Sequence, residues 1–382
     1  MSEVVAVLHA AVGDAVRADR EDALHEATEV SESLRALGYE PVLVEMGLNL
    51  QAIVDDLRRL SPLFVFNLAE DVAGDGRLIT LAPAVLEHLG LAYAGAQFDS
   101  TYLTSNKLAT KEVLSREAIA TLPVCLVSVD VAFDGPYVVK PVWEDAPVGL
   151  DESSVAFDRD GLKRVASSLD PRHAPYFVER YVDGREFAVS MLEGPQGPEV
   201  LPVPEMRFES YLPGKPRVLG YRAKWDSESF EYKSTVRTWD LPGSDRPLLE
   251  GLAATALQRW RLTGLRGYGR IDFRVDKTGK AWVIDVNANP CIASDAGFVA
   301  AAGRMGLDLT QVVARVVAAA RTQGARSCSP AWQQDRRRPV LVGCVPSMGA
   351  VAARGTFGVS PCSSPVDGHR LIVVHDARTY RR

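Results

Sequence analysis

In two short apolar segments near the far end of the chain, Gly269–Val275 and Ala281–Asn287, polar residues recur at every second position. Arg270 and Asp272 alternate with Ile271, and Asp285 and Asn287 alternate with Val286, so each pair shares one face of an extended strand. A turn at Lys277–Gly279 joins the segments into a hairpin, which sets the two polar faces side by side at about 5 Å. Two carboxylates and an amide that close, with Asn289 just beyond, repel or go unsatisfied without a cation. An all-oxygen set of this kind suits Mg²⁺, a hard ion that takes few protein carboxylates and shares phosphate oxygens. The competing reading is a solvated hairpin face held by an Arg270–aspartate pair, since surface ion pairs are common.

Three lysines stand beside backbone signals suited to anions. Lys107 lies in Asn106–Lys111, Lys140 ends the apolar run Tyr137–Val139, and Lys224 falls within the long polar stretch Arg207–Trp239. Each alone reads as a solvated surface group. Lys140, followed by Pro141 and a charged, glycine-containing loop to Leu150, is the one that resembles a phosphate-cradling strand–loop, although it lacks the GxxxxGK[ST] pattern. The run from Glu179 to Glu186, with Val182 between, follows a strand and offers a backbone edge and two acceptors that suit an adenine amino group and ribose hydroxyls, although taken alone it reads as a charged strand exit.

These positions need elements to hold them. Val4–Leu8, Pro41–Val44 and Leu63–Phe66 read as strands separated by the helical periodicities of Asp19–Leu37 and Leu50–Leu60, a rhythm that predicts a parallel α/β unit. A turn at Ala73–Gly76 precedes a helix over Leu78–Leu89. A second unit opens near Gln97 with a helix over Asn106–Arg116 and strands at Pro123–Val131 and Tyr137–Pro141. A third carries strands Phe177–Tyr181 and Glu186–Leu192, an irregular functional loop over Arg207–Trp239, helix Pro247–Leu262, the polar hairpin, and helix Leu309–Arg321. Expected boundaries are 1–96, 97–175, 176–322 and a Ser/Pro/Gly/Arg-rich tail, 323–382, that matches no motif. The class is α/β (α+β).

With 382 residues and 47% hydrophobic content the chain has material for several cores. Forty-three Lys and Arg against 49 Asp and Glu leave a net charge of −6, which argues against a general nucleic-acid binder. No apolar run spans a bilayer and Met1–Ala10 has no secretory pattern, so no membrane role is expected. Cys125, Cys291, Cys328, Cys344 and Cys362 form no CxxC, which suggests a reducing, cytoplasmic setting without a structural metal.

Taken in order, Asn106–Lys111, Val138–Pro141, Glu179–Phe187, Gly269–Asp272 and Ile284–Pro290 resemble the ATP-grasp superfamily, and within it the D-alanine–D-alanine ligase branch, over about Val4 to Arg321. Phe66–Leu68 and Gly74–Gly76 echo that pattern more loosely. The resemblance implies an ATP-grasp fold: an N-terminal parallel α/β domain, then two α+β subdomains enclosing the nucleotide. It implies ATP and Mg²⁺ (or Mn²⁺) as cofactors. Lys107, Lys140 and Lys224 would contact phosphates, Glu179 and the Val182 backbone the adenine, and Glu186 the ribose. Asp272, Asp285 and Asn287 would bind metal. Arg270 would face a developing oxyanion and, with Lys224, carry catalysis, while Trp143–Gly149 closes over the phosphates. The activity implied is carboxylate–amine ligation through an acyl phosphate, on small amino-acid-like substrates; a homodimer is compatible with it.

Departures from the branch pattern fall on the amino-acid side. Glu70 stands where the branch has His, Ala146–Pro147 replaces a Ser pair, Trp225 takes a Tyr position, Cys291 a Gly and Ala296 a Ser. The segment Ala10–Glu21 lacks the Gly-rich start, leaving Asp19, Glu21 or Asp22 to accept an amino group. The nucleotide half therefore reads as intact and the dipeptide half as rebuilt. The competing reading is an ATP-binding protein without ligase turnover. A dinucleotide site at Gly74–Gly76 is disfavoured because no GxGxxG follows the first strand.

Overall fold

The computed structural model describes residues 3–11, 18–127, 131–143 and 150–327, without the side chains of 18–20 and 323–327. Residues 144–149 of the expected closing loop Trp143–Gly149, with Ala146 and Pro147, the Asp19 side chain, and the tail from 328 with its three cysteines lie outside them.

Strand β1 (Glu3–Ala10) lies between β2 (Tyr39–Met46) and β3 (Val65–Asn67), and β4 (Tyr93–Ala94) completes a parallel sheet in the order β2-β1-β3-β4. Its side chains enter two cores. Val5 and Val7 pack with Ala27, Val30 and Leu34 of α1 (Ala18–Ala36). Ala6 and Leu8 pack with Ile53 and Leu57 of α2 (Leu50–Leu60) and with Ala82 and Leu86 of α3 (Leu81–Leu89). A strand covered on both faces needs a continuous apolar run, which is what this segment supplies.

Two helices follow, α4 (Phe98–Ser105) and α5 (Lys107–Arg116); the Asn106 side chain caps α5 by accepting from the Ala109 amide at 3.0 Å. The second sheet, antiparallel, runs β5-β8-β6-β7 from β5 (Val124–Leu126), β6 (Tyr137–Pro141), β7 (Val155–Ala156) and β8 (Tyr176–Arg180). Tyr137, Val139 and Val178 point toward Leu162 of α6 (Arg159–Ser167). Val138, Lys140 and Glu179 take the opposite face.

The third sheet contains β9 (Arg185–Gly194), β10 (Gly197–Val200), β11 (Glu205–Phe208), β12 (Thr235–Thr238), β13 (Tyr268–Val275) and β14 (Ala281–Asn287), with the path β12-β11-β9-β13-β14 and β10 paired to β9. Phe187, Val189, Ile271, Phe273 and Val286 bury one face against Leu252, Ala256 and Trp260 of α9 (Arg246–Thr263), together with Leu114 of α5. Each such side chain contributes roughly 1.5–3 kcal/mol on burial, so this face fixes the strand register. The other face is left to the polar residues.

The stretch read as an irregular loop departs from expectation. Arg207–Trp239 holds α7 (Tyr221–Trp225), α8 (Phe230–Ser234) and β12 as well as the end of β11. These pieces are too short to show a period, and tertiary partners form them: β12 pairs with β11, Ser229 caps α8 through the Tyr232 amide, and Glu231 takes both Lys215 and Arg222. Strands β10 and β11, helices α4 and α6, and α10 (Gly297–Gly303) likewise add to the elements expected from the sequence. The final helix, α11 (Leu309–Ser327), runs past its expected end at Arg321 and returns to the first sheet, where Val312, Val313 and Val316 share a core with Val5 and Val7. Among the described residues no helix is long and apolar enough to cross a membrane.

Candidate active site

Strand register builds the site. On the third sheet, Glu186 lies opposite Arg274 and Met206, Ala188 opposite Asp272, and Ser190 opposite Arg270; across the next pairing, Asp272 meets Asp285 and Arg270 meets Asn287. The hairpin expected from alternation is therefore present with both polar faces together. A bulge after Asp272 brings Ile284 out of register and leaves it lining the cleft.

Opposed carboxylates repel, and two cationic side chains offset them. Arg270 forks onto Asp272, Nε to Oδ1 at 2.8 Å and Nη2 to Oδ2 at 2.9 Å. Lys107 Nζ reaches Asp285 Oδ1 at 3.1 Å. Burial would push the Asp285 carboxyl up, but Lys107 foremost, then Lys140 and Arg270, outweigh it and hold the group below the usual carboxylate range. The Arg270–aspartate pair of the competing reading thus exists, yet it faces a cleft rather than bulk solvent. Asn287 Oδ1 accepts from the Asn289 amide at 2.7 Å. Among the described residues no three His, Cys, Asp or Glu side chains are gathered to hold a metal unaided.

A second charged group sits across the cleft. Glu179, with 0% of its surface exposed, pairs with Lys140 at 2.7 Å and with Lys111 on α5. Burial raises the Glu179 carboxyl, and the two lysines more than reverse that, so it stays ionised. Lys111 received no role from the sequence, although its i,i+4 spacing from Lys107 puts both on one helix face. Arg274 was also missed. It pairs with Glu186 at 2.6 Å and donates to the Gly184 carbonyl at 3.1 Å. That turn tolerates only glycine, since a Cβ at Gly184 would lie 2.1 Å from the Val275 carbonyl oxygen.

Lys107, Lys140, Glu179, Val182, Glu186, Lys224, Arg270, Asp272 and Asp285 all line one cleft between the polar faces of the second and third sheets. Its walls include Leu122, Val138, Leu150, Val218 and Ile284, an apolar slot beside the charges. Asn287 lines the adjoining cavity instead. Lys224, on α7, borders both; burial, then the nearby Arg270 charge, lower its ammonium below the ordinary lysine range.

The adjoining cavity, of about 610 Å³, shares Glu186, Leu219, Lys224, Arg270 and Asp272 with the cleft. Glu70, Trp225, Cys291 and Ala296, the described positions that depart from the ligase pattern, all line it. Of Glu21 and Asp22, Asp22 reaches it, with its carboxyl raised by burial and by Asp295 and hydrogen-bonded to Trp225. Glu26, which carries no signal in the sequence, is nearly buried but also lines this cavity; it accepts from the Ile292 amide at 2.7 Å and lies against Cys291, whose thiol burial pushes up strongly.

Burial, foremost, raises Glu26 to about 7 from 4.5. The folded state therefore keeps a proton that the unfolded chain has released, and its advantage is complete below pH 4.5 and gone once the pH passes about 7. The loss amounts to on the order of 3 kcal/mol. In urea unfolding at pH 5 and pH 8, Glu26→Gln is expected to show a smaller decline in stability than the parent chain; equal declines would mean that Glu26 does not titrate in this window.

Residues 110–318 match the family model described as D-ala D-ala ligase C-terminus. A D-alanine–D-alanine ligase of Thermotoga petrophila is 29% identical over 324 residues, covering 81% of this chain and 96% of that relative. One from Haemophilus ducreyi is 26% identical over 326 residues, covering 83% and 97%. In structure, the D-alanine–D-alanine ligase from Bacillus anthracis complexed with ATP superimposes with a TM-score of 0.66 at 18% identity, over 85% of this chain and 100% of that one.

Proposed function

Because this chain belongs to the D-ala D-ala ligase family, an ATP-grasp family of ATP-dependent ligases, we propose that it joins a carboxylate to an amine on two amino-acid-like substrates, through an acyl phosphate. The observation that carries this reading is the convergence of Lys107, Lys140, Lys224, Asp272 and Asp285 on one cleft, with Arg270 and Lys224 at its opening into the larger cavity.

Each residue then has a task. The apolar slot and the Val182 backbone receive the adenine, and Glu186, oriented by Arg274, the ribose. Glu179 serves the adenine end while positioning Lys140 and Lys111, a use of its carboxylate that the sequence reading did not foresee. Lys107, Lys140 and Lys224 neutralise phosphate oxygens, since phosphoryl transfer is mainly positioning and charge compensation. Asp272, Asp285 and Asn287 supply only oxygen donors, and too few to fill a coordination sphere, which fits Mg²⁺ completed by phosphates. When bound, that ion supplies charge neutralisation at the transferring phosphoryl group.

A substrate carboxylate oxygen attacks the γ-phosphorus and ADP leaves. The amine of the second substrate then attacks the acyl carbon, loses a proton, and inorganic phosphate departs. Arg270 stands where the oxyanion of that addition develops, a placement worth roughly 3–4 kcal/mol in well-studied enzymes. The rebuilt cavity wall of Glu70, Cys291 and Ala296 favours a product other than D-alanyl-D-alanine. It also supports the second reading, ATP binding without turnover. Phosphate release from ATP, measured across pairs of D- and L-amino acids, separates the two: stimulation by a particular pair is expected, and release that no amino acid or small carboxylate stimulates would favour the binder.

A further inference from the structure

Arg237 has no part in the chemistry described so far. It lies on β12 directly opposite Met206, which in turn lies opposite Glu186, so it shares the polar face of the third sheet. Its side chain lines the larger cavity and not the nucleotide cleft. Among the described residues its guanidinium makes no hydrogen bond and no ion pair. Other arginines around the site are engaged: Arg270 with Asp272, and Arg274 with Glu186.

The seat is nevertheless built. The guanidinium lies over Gly297, where an added Cβ would be 3.2 Å from Nη2, 3.3 Å from Cζ and 3.4 Å from Nε. Burial, then the like charge of Arg270, press against its ionised form, with Asp295 as the compensating charge. A half-buried cation beside another cation is costly to maintain unless an anion joins them. The fork of five donors suits a planar carboxylate held by two bonds. ATP phosphates are served from the other side of Lys224, and the reacting carboxylate must lie next to them.

We infer that Arg237 binds the non-reacting carboxylate of the amine-bearing substrate, which is therefore an amino acid and not a simple amine. This rests on the ligase reading above.

The test compares steady-state kinetics of the parent chain, Arg237→Gln and Arg237→Lys, with D- and L-amino acids and their carboxamides as acceptors. In the parent chain the acid is preferred over its amide. Arg237→Gln raises KM for the acid acceptor by about 10- to 100-fold, leaves KM for ATP unchanged and erases the acid-over-amide preference; Arg237→Lys keeps part of it. Should Arg237→Gln fail to fold, Gly297→Ala crowds the same guanidinium and is expected to show the same signature. An acid-over-amide preference that survives undiminished in Arg237→Gln (or in Gly297→Ala where that variant stands in), or is missing from a parent chain that turns over, overturns the role of Arg237 alone. A parent chain whose phosphate release responds to neither acids nor amides overturns the ligase reading as well.

Discussion

An Asp285→Ala variant is expected to lose at least about 100-fold in Mg²⁺-dependent turnover, since charge compensation at a phosphoryl group is worth several kcal/mol and each 1.4 kcal/mol is tenfold. The expectation comes from register. Asp285 lies directly across from Asp272, and both point into the cleft that Lys107 and Lys140 line. Removing one carboxylate leaves Asp272 still forked to Arg270, so the fold should survive, while the oxygen set is reduced to one carboxylate and one amide. Lys107 loses its contact with Asp285 at 3.1 Å but keeps its place lining the cleft. ATP binding without added metal should therefore weaken little, and the metal concentration needed for half-maximal rate should rise. Titrating Mg²⁺ against phosphate release in the parent chain, Asp285→Ala and Asp285→Asn checks this. Full activity in Asp285→Ala at ordinary Mg²⁺ would remove Asp285 from the metal site.

Lys140→Ala should weaken ATP binding by about 10- to 100-fold, the value of a charge-assisted hydrogen bond. Two effects must be separated here, because Lys140 also pairs with the fully buried Glu179. Removing one member of a buried pair costs about 3–5 kcal/mol when the remaining charge is left alone. Glu179 is not left alone, since Lys111 stays against it, and the stability loss should fall below that range. Equilibrium binding of ATP, measured with urea unfolding on the same variant, resolves the two. Unchanged affinity would take Lys140 out of the phosphate site, while a stability loss at the full value would mean that Lys111 does not sustain Glu179.

These two residues also show where the fold divides the work. Lys140 is held by the second sheet, Asp285 by the third, and α5 contributes Lys107 and Lys111 between them. The charged cleft is thus assembled from three separate segments, whereas the larger cavity also draws on Asp22 and Glu70 beside the first sheet. On the proposed function, a change in that wall would alter which substrates fit while leaving in place the charges proposed to handle ATP.

Alternation along Gly269–Val275 and Ala281–Asn287 was enough to place Arg270, Asp272, Asp285 and Asn287 on one face, because the side-chain period of a strand is a local property. Helices α2 and α9 are legible for the same local reason, and strand β6 as a short apolar run. What local pattern could not decide was pairing at a distance. That Glu179 is neutralised by Lys111 and Lys140, that Arg274 holds Glu186, and that Glu26 lies buried against Ile292 and Cys291 depend on contacts between elements far apart in the chain. The same holds for β12 and Arg237, whose strand exists only because β11 supplies its hydrogen bonds. Residue types and spacing determined which charged groups share a strand or helix face; packing of the three sheets decided which charges meet, which are spent on one another, and which are left facing a cleft.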